Sequence, residues 1–427
     1  MNKTLTKVLA TSALTIITVP VMTTMTSTVA NAASKPTKIT LWDAMSGPYA
    51  DALQTQIDAF NHSQKKYTVA ATSQGDYTTL NQKITAAAKS KTLPVMSQTT
   101  YTQIPDYVKQ GIVTNLDDQI KGKDGLKKAA LNNIYPGFLQ TAKYKGSYYS
   151  MPFSASVRVM FYNQDILDKY NLQVPKTWDD VAKMAEVLKP DGIAAIGFDK
   201  SYDMEWDGLV HAAGSELVTA KGKVKTNAKP AVDAMSMITD MVKAGTAKTA
   251  GSDIYGTTNF VNGKTALAFS SSAGITATTQ AAPADFHWGT AVIPSYKGQH
   301  ATELAGNNLM VSATASKAQK DGAWAFMKFL MSDKQTEKWA EDTNYLPITK
   351  KAAQSKTYQD FLAKNPLSKA ASDSLPGAFA DAAFAGYNEY RTNMLDAVDS
   401  TLTKDTSAKD ALDTLTKQTK QTIADNK

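Results

Sequence analysis

The alternation of strand-like and helix-like patterns near the N-terminus restricts the fold more than any other feature. Apolar and polar residues alternate over 38–42, and 67–71 is a second strand-like segment. Between and after these segments, over 49–60 and 80–88, apolar residues recur at helical spacing instead. The order strand, helix, strand, helix is typical of a parallel sheet, so we predict an α/β fold.

Further elements are expected along the chain. Thr177 opens a helix, and Asp76 and Ser46 are placed to cap the two N-terminal helices. Strands are predicted over 152–162, 265–271, 288–294 and 309–311, and amphipathic helices over 323–330 and from Ala408 to the C-terminus.

The first 32 residues have the pattern of an export signal. Lys3 and Lys7 precede a mostly apolar stretch over 8–22, and Ala30 and Ala32 supply small residues for cleavage. We therefore expect an exported, extracytoplasmic protein, at the cell surface or in a periplasm. The remaining length exceeds what one hydrophobic core usually organises, so two lobes are predicted.

Composition excludes several kinds of chemistry. The chain has no cysteine, which removes disulfides, thiolate metal sites and the residue that carries a lipoprotein anchor. The four histidines are far apart, and no phosphate-binding loop, dinucleotide fingerprint or nucleophile elbow is present. Lysines are scattered despite a net charge of +7, which argues against nucleic-acid binding. No cofactor and no catalytic residue is predicted. An exported hydrolase stays open, because carboxylates are plentiful.

Arg158 and Arg391 are the only arginines among 427 residues, whose positive charge is otherwise carried by lysine. A guanidinium can hold a carboxylate or phosphate with two parallel hydrogen bonds, which lysine cannot. Both arginines lie in segments rich in aromatic and hydroxyl residues, so the sequence predicts anion recognition.

Motifs in four regions of the chain, taken in order, resemble one known family. They are the opening strand and helix (39–47), two neighbouring stretches (151–163 and 174–178), the segment 260–266 with Trp288 and Ile293-Pro294, and 344–350. In this order they are similar to the extracytoplasmic solute-binding proteins of ABC importers. The resemblance implies a two-lobed periplasmic-binding-protein fold with a hinge and a ligand cleft between the lobes. It also implies a monomeric receptor that binds a small solute. Its protein partners would be permease subunits and a cytoplasmic ATPase.

Within the family the likeness is strongest to the members that bind glycerol-3-phosphate. Their phosphate-holding positions fall on Tyr77, Ser156, Ser271, Gly306, Tyr345 and Arg391. The position of a hydroxyl-binding glutamate falls on Tyr101, and that of a stacking tryptophan falls near Tyr202, with Trp206 as a competing choice. Arg158, two residues after Ser156 on a strand, would share its face or point to solvent.

The resemblance therefore predicts a receptor for glycerol-3-phosphate or a glycerophosphodiester, and a neutral sugar or oligosaccharide is the alternative. It places crossings between the lobes near 151–153 and 293–295 and after 331. The predicted division is residues 33–152 and 294–332 in lobe 1, and 153–293 and 333–427 in lobe 2.

Overall fold

The computed structural model describes residues 35–253, 255–404 and 406–426, and the predicted export signal lies outside them. Over this part the chain is a two-lobed α/β protein, as the sequence predicted. Its strands are β1 Thr37–Asp43, β2 Tyr67–Ser73, β3 Met96–Thr99, β4 Lys143–Tyr144, β5 Ser147–Tyr148, β6 Met151–Asn163, β7 Ala194–Phe198, β8 Ala247–Lys248, β9 Thr265–Ser271, β10 Trp288–Ala291, β11 Thr302–Val311 and β12 Ala378–Phe379.

The α-helices surround these strands. They are α1 Pro48–Ser63, α2 Tyr77–Ser90, α3 Ile104–Lys109, α4 Asp117–Lys121, α5 Lys128–Asn133, α6 Pro136–Thr141, α7 Gln164–Lys169, α8 Trp178–Leu188, α9 Asp203–Ala212, α10 Lys229–Lys243, α11 Thr257–Val261, α12 Gly274–Ala281, α13 Lys317–Leu330, α14 Asp333–Thr343, α15 Lys350–Ala353, α16 Lys356–Lys364, α17 Lys369–Ser374, α18 Tyr387–Thr403 and α19 Ala408–Asp425. None of the helices in the described residues is long and apolar enough to span a bilayer.

Helix starts follow local side-chain chemistry. α2 begins after Asp76, whose carboxylate accepts a hydrogen bond from the Thr79 amide at 2.7 Å. α8 begins with a capping box in which Thr177 and Asp180 bond to each other's backbone amides. Both predicted starts are confirmed. The predicted cap at Ser46 is wrong, because Gly47 occupies the capping position of α1 without a side-chain bond.

The main sheet joins parallel and antiparallel pairs in the order β2-β1-β3-β11-β6-β9-β7-β8. β1 pairs in parallel with β2 and β3, which confirms the parallel arrangement predicted for the N-terminal segment. β11 and β6 are antiparallel in the centre, and β7 runs parallel to β9 and β8 at the far end. β10 pairs with β6, and β12 pairs with β11.

β6 carries the chain from one lobe to the other. It pairs with β11 between Met151 and Val157, and from Arg158 onward it pairs with β9 and β10. All but one of its residues are buried, because it has neighbours on both edges and packed layers on both faces.

Separate cores stabilise the two lobes. The first core cluster includes Ile39, Leu53 and Phe153. The second includes Ile196, Trp206, Met235 and Tyr390, and it also holds Leu412 and Leu415 of α19, the terminal helix that the sequence predicts. The lobe boundaries stay a prediction, but the packing of 333–371 favours a different division. Its side chains Trp339, Leu346 and Ile348 belong to the first core cluster, because they continue the apolar layer over β6.

Two hydrogen bonds hold the segment that follows β9, whose Ile275 packs in the first core cluster. The Tyr49 hydroxyl of α1 donates to the Ala273 carbonyl at 2.5 Å, and the Asn344 amide donates to the Thr276 hydroxyl at 2.8 Å. These bonds connect α1 and the residue that follows α14 to the loop after β9 and to α12.

Candidate functional site

A polar face of the central strands lies where the two lobes meet. Side chains on a strand alternate between faces, so Ser154, Ser156 and Arg158 of β6 point to the same side. Ser154 pairs with Asn307 and Ser156 with Ala305, which places alternate residues of β11 on this face as well. Phe153, Ala155 and Val157 point to the other side and belong to the first core cluster.

The polar face continues onto the neighbouring strands of both lobes. Ser271, the last residue of β9, is the pairing partner of Arg158. Glu303 lies on the same face of β11 as Asn307, four residues earlier. The register therefore places the predicted residues Ser156 and Ser271 on adjacent strands, although 115 residues separate them in the chain.

Gly306 lets β11 approach β6 at this face. Its φ of +110° is a conformation that residues with a side chain rarely adopt. A Cβ atom built at this position would lie 2.0 Å from the Ser154 carbonyl oxygen. The backbone here consequently requires glycine, and the binding role of Gly306 stays a prediction.

Two predicted tyrosines reach the polar face from the first lobe. The Asn307 side-chain amide donates to the Tyr77 hydroxyl at 2.8 Å, and the Tyr77 and Tyr345 hydroxyls are hydrogen-bonded to each other. Burial raises the pKa of Tyr77 to about 12, so its hydroxyl keeps its proton at neutral pH. The Tyr345 ring stacks on Trp339 with 5.9 Å between centroids.

The structure thus brings together Tyr77, Ser156, Ser271, Gly306 and Tyr345, five of the eight residues predicted from the sequence. They surround the two central strands. Within the described residues, the Ser154 hydroxyl and the Asn307 side-chain oxygen are buried without a hydrogen-bond partner. Buried polar atoms in proteins are nearly always bonded, so these two atoms have capacity for a further hydrogen bond.

Arg158 is engaged by the protein itself. Its guanidinium donates to Glu205 at 2.6 Å, to Asp199 at 2.9 Å and to the Phe269 carbonyl at 2.8 Å, and it is 4% exposed. Burial raises the pKa of Glu205 to about 7 against the opposing effect of Arg158. The sequence left open whether Arg158 faced solvent, and the structure shows a buried ion cluster at the Arg158 end of the polar face.

Arg391 also has a carboxylate partner. From α18 it donates to Asp203 through Nε at 2.7 Å and through Nη2 at 3.2 Å, and Nη2 also reaches the Ser201 hydroxyl at 3.1 Å. The side chain is 40% exposed, whereas that of Asp203 is 4% exposed. Part of the side chain is therefore exposed, and one edge of the guanidinium is hydrogen-bonded to Asp203.

An acidic group, defined here as Asp207, Glu303 and Asp381, lies near Tyr101. The Asp381 amide donates to the Tyr101 hydroxyl at 2.9 Å, and Tyr387 donates to the Asp381 carboxylate at 2.6 Å. Burial raises the pKa of Asp381 to about 6. Burial and mutual repulsion hold the pKa values of Asp207 and Glu303 well above the usual range. In the described part of the chain both Asp207 oxygens are buried without a hydrogen-bond partner, and the His211 ring lies 3.8 Å from one of them.

Tyr202 and Trp206 lie in the second core, away from the polar face. The Tyr202 hydroxyl donates to Asp399 at 2.8 Å, and the Trp206 indole donates to the Ala231 carbonyl at 2.9 Å. Both side chains pack in the second core cluster. The stacking role predicted for Tyr202 or Trp206 has no support in this geometry, because their rings are used to fill the lobe.

Several residues of the site were not found from the sequence. Asn307 and Ser154 belong to the polar face, and the Tyr49 ring contacts that of Tyr345 beside it. Glu303 and Asp381 belong to the acidic group. Alternation along β11 could have indicated Asn307 and Glu303 if the strand had been predicted from residue 302. No cluster of side chains suited to a metal ion occurs in the described residues.

Fold and cleft define a two-lobed receptor for a small solute. The sequence profile of the bacterial extracellular solute-binding protein family matches residues 55–370, and the chain belongs to this family. It is therefore the solute-binding component of an ABC importer and works with permease and ATPase subunits.

Similar proteins differ in their solutes. The chain is 27% identical over 357 residues to the sn-glycerol-3-phosphate-binding periplasmic protein UgpB of Brucella melitensis, covering 79% of this chain and 81% of that protein. The structure of UgpB from Mycobacterium tuberculosis in complex with glycerophosphocholine matches with a TM-score of 0.79 at 20% identity, over 92% of this chain and 99% of the other. The cyclic alpha-maltosyl-1,6-maltose binding protein from Arthrobacter globiformis matches with a TM-score of 0.78 at 23% identity, over 91% and 100%.

Proposed function

We propose that this protein captures glycerol-3-phosphate or a glycerophosphodiester by closing its lobes and delivers it to the permease. The observation that carries the proposal is the concentration of neutral donors on the polar face. Tyr77, Tyr345, Ser156, Ser271 and the Gly306 backbone offer hydroxyl and amide groups to one oxyanion. A buried phosphate without such partners is very unfavourable, so a dense set of donors suits it.

Arg391 is the proposed charged contact to the phosphate. Its pairing with Asp203 leaves 40% of the side chain exposed, so the guanidinium can accept a further partner while Asp203 fixes its orientation. Bonds of this kind strengthen when lobe closure excludes water, because the local dielectric falls.

The acidic group supports a phosphodiester with a cationic head. Glu303 lies three residues before Gly306 on β11, about 10 Å along the strand. Carboxylates and the tyrosines beside them suit an ammonium group through charge and cation–π attraction, and they also accept hydrogen bonds from glycerol hydroxyls. A zwitterionic diester would place its phosphate at the donors and its head at the acidic group.

A neutral oligosaccharide is the second candidate, favoured by the pairing of Arg391 with Asp203. This pair neutralises the exposed guanidinium, and the acidic group offers acceptors for sugar hydroxyls. The Trp339–Tyr345 stack adds aromatic surface beside the polar face.

Isothermal titration calorimetry with glycerol-3-phosphate, glycerophosphocholine and maltose separates these candidates. We expect micromolar binding, about −8 kcal/mol, of at least one phosphate compound. Binding of maltose alone would refute the phosphate assignment and support the oligosaccharide. Glu303→Gln should weaken glycerophosphocholine more than glycerol-3-phosphate if the acidic group holds the cationic head.

A matched pair of tyrosine variants tests the donor set. Tyr77→Phe removes a hydroxyl from the polar face and should weaken binding of the phosphate compound roughly tenfold, the effect of one lost hydrogen bond. Tyr107→Phe removes a hydroxyl that bonds to Asn81 at 2.8 Å inside the first lobe, and it should leave the affinity unchanged.

A further inference from the structure

One face of the segment that ends in α3 contacts the ends of two helices of the other lobe. Gln103, Asp106 and Lys109 are spaced three residues apart, so they lie on the same side of the helical turn. Gln103 exchanges side-chain amide hydrogen bonds with Asn388 of α18. We call these three residues the α3 face.

Asp106 supplies the cap of a helix that belongs to the second lobe. Its carboxylate accepts a hydrogen bond from the Gly386 amide at 2.7 Å, at the capping position of α18. Gly386 has no side chain to cap this helix, and its φ is +90°. A helix start leaves amide groups unpaired and favours negative charge, so a carboxylate from outside the helix satisfies both requirements.

Lys109 contacts the C-terminal end of a second helix, α19. Its ammonium donates to the Asp425 carbonyl at 3.2 Å and to the Asn426 side chain at 2.9 Å, at the C-terminus of α19. Asn426 adjoins Gly386, since a Cβ built on Gly386 would lie 2.7 Å from its amide nitrogen. The α3 face therefore presents an anion to a helix start and a cation to a neighbouring helix end, the favourable sign in each case.

These contacts join parts of the protein with separate cores. Ile104 and Tyr107 of α3 pack with Leu80 and Ile84 of α2. Tyr390 and Met394 of α18 pack in the second core cluster. Separation of the lobes would break the contacts of the α3 face while leaving both cores intact.

We infer that the α3 face is a latch that caps α18 only when the lobes are closed and thereby stabilises the closed state. Asp106 and Gln103 act through α18 and are positioning residues. The inference depends on lobe closure and is independent of which solute the cleft takes.

Paired spin labels measure the ratio of closed to open protein. The chain has no cysteine, so Lys89→Cys on α2 and Lys183→Cys on α8 give a unique labelled pair. Asp106→Ala should lower the closed-to-open ratio roughly fivefold, without solute and with saturating glycerol-3-phosphate or glycerophosphocholine, as loss of a helix cap predicts. Asp58→Ala is the matched control, because Asp58 bonds to Gln54 within α1. An Asp106→Ala ratio equal to that of Asp58→Ala would overturn the latch.

Hydrogen exchange gives a second measurement that needs no solute. The amides from Gly386 to Arg391 should exchange several-fold faster in Asp106→Ala than in the Asp58→Ala control, while the core strands exchange equally in both. Equal exchange at 386–391 would also overturn the latch. Failure of both phosphate compounds to bind would refute the proposed function alone, since the solute-free ratio and the exchange rates still test the latch.

Discussion

Arg391 donates two hydrogen bonds to Asp203, one from Nε at 2.7 Å and one from Nη2 at 3.2 Å. The pair links α18 to the start of α9 within the second lobe. It orients one of the chain's two guanidinium groups and reduces its net positive charge. Whether this lobe receives an anion or a neutral solute therefore depends on how the pair responds to ligand.

Replacing Arg391 by lysine tests whether the phosphate needs two parallel hydrogen bonds from a guanidinium. Lysine keeps the charge but lacks the planar fork, so Arg391→Lys should weaken glycerol-3-phosphate or glycerophosphocholine by tenfold to a hundredfold, about 1.5–3 kcal/mol. Calorimetry measures the loss, and Lys404→Met serves as a charge control on the same helix's C-terminal side. Unchanged affinity in Arg391→Lys would show that the guanidinium serves only to hold Asp203.

Gly306→Ala should damage the site through the backbone. The new Cβ would collide with the Ser154 carbonyl and force an unfavourable φ, so we expect destabilisation by about 3 kcal/mol or more and loss of solute binding. Gly111→Ala is the control, because φ is also positive there but no atom lies within 4 Å. That control should cost about 1 kcal/mol. Thermal unfolding compares the two, and equal losses would contradict the predicted collision.

Arg158→Met should destabilise the second lobe strongly. It leaves Asp199 and Glu205 buried without their cation, for which we expect a loss of about 3–5 kcal/mol in unfolding free energy. Urea unfolding at pH 8 measures it. Lys225→Met breaks an exposed pair with Glu216 and should change stability by less than about 1 kcal/mol. A loss below 1 kcal/mol for Arg158→Met would show that this arginine does not stabilise the two buried carboxylates.

Asp381 predicts a pH dependence of stability. Its pKa is raised from 3.8 to about 6 by burial, so the folded state binds this proton more tightly than the unfolded state. The resulting stabilisation is complete below pH 3.8 and is lost as the pH rises through about 6. Relative to Asp381→Asn, the wild type should lose roughly 2–3 kcal/mol between pH 4 and pH 7.5. Urea unfolding at several pH values checks this, and a difference that does not vary with pH would contradict it.

Much of the fold could be predicted because its signals are local. The capping residues Asp76 and Thr177 act on amides three positions away. The strand-like pattern over 152–162 predicts β6 to within one residue at each end. β11 was predicted only from residue 309, since Gly306, Asn307 and Asn308 interrupt the apolar pattern that marks a strand. Those interruptions lie where the strand faces the candidate site.

The sequence by itself determined the α/β elements, the cysteine-free core and the hydroxyl-rich motifs that indicated a solute-binding protein. Only the tertiary structure decided that Arg158 is neutralised in a buried cluster, that Asp203 occupies one edge of Arg391, and that Glu303 and Asp381 share one environment. Helix and strand periodicities report on residues within a few positions of each other. The charge state of a cleft instead depends on residues such as 203 and 391, whose distance is set by the packing of whole helices.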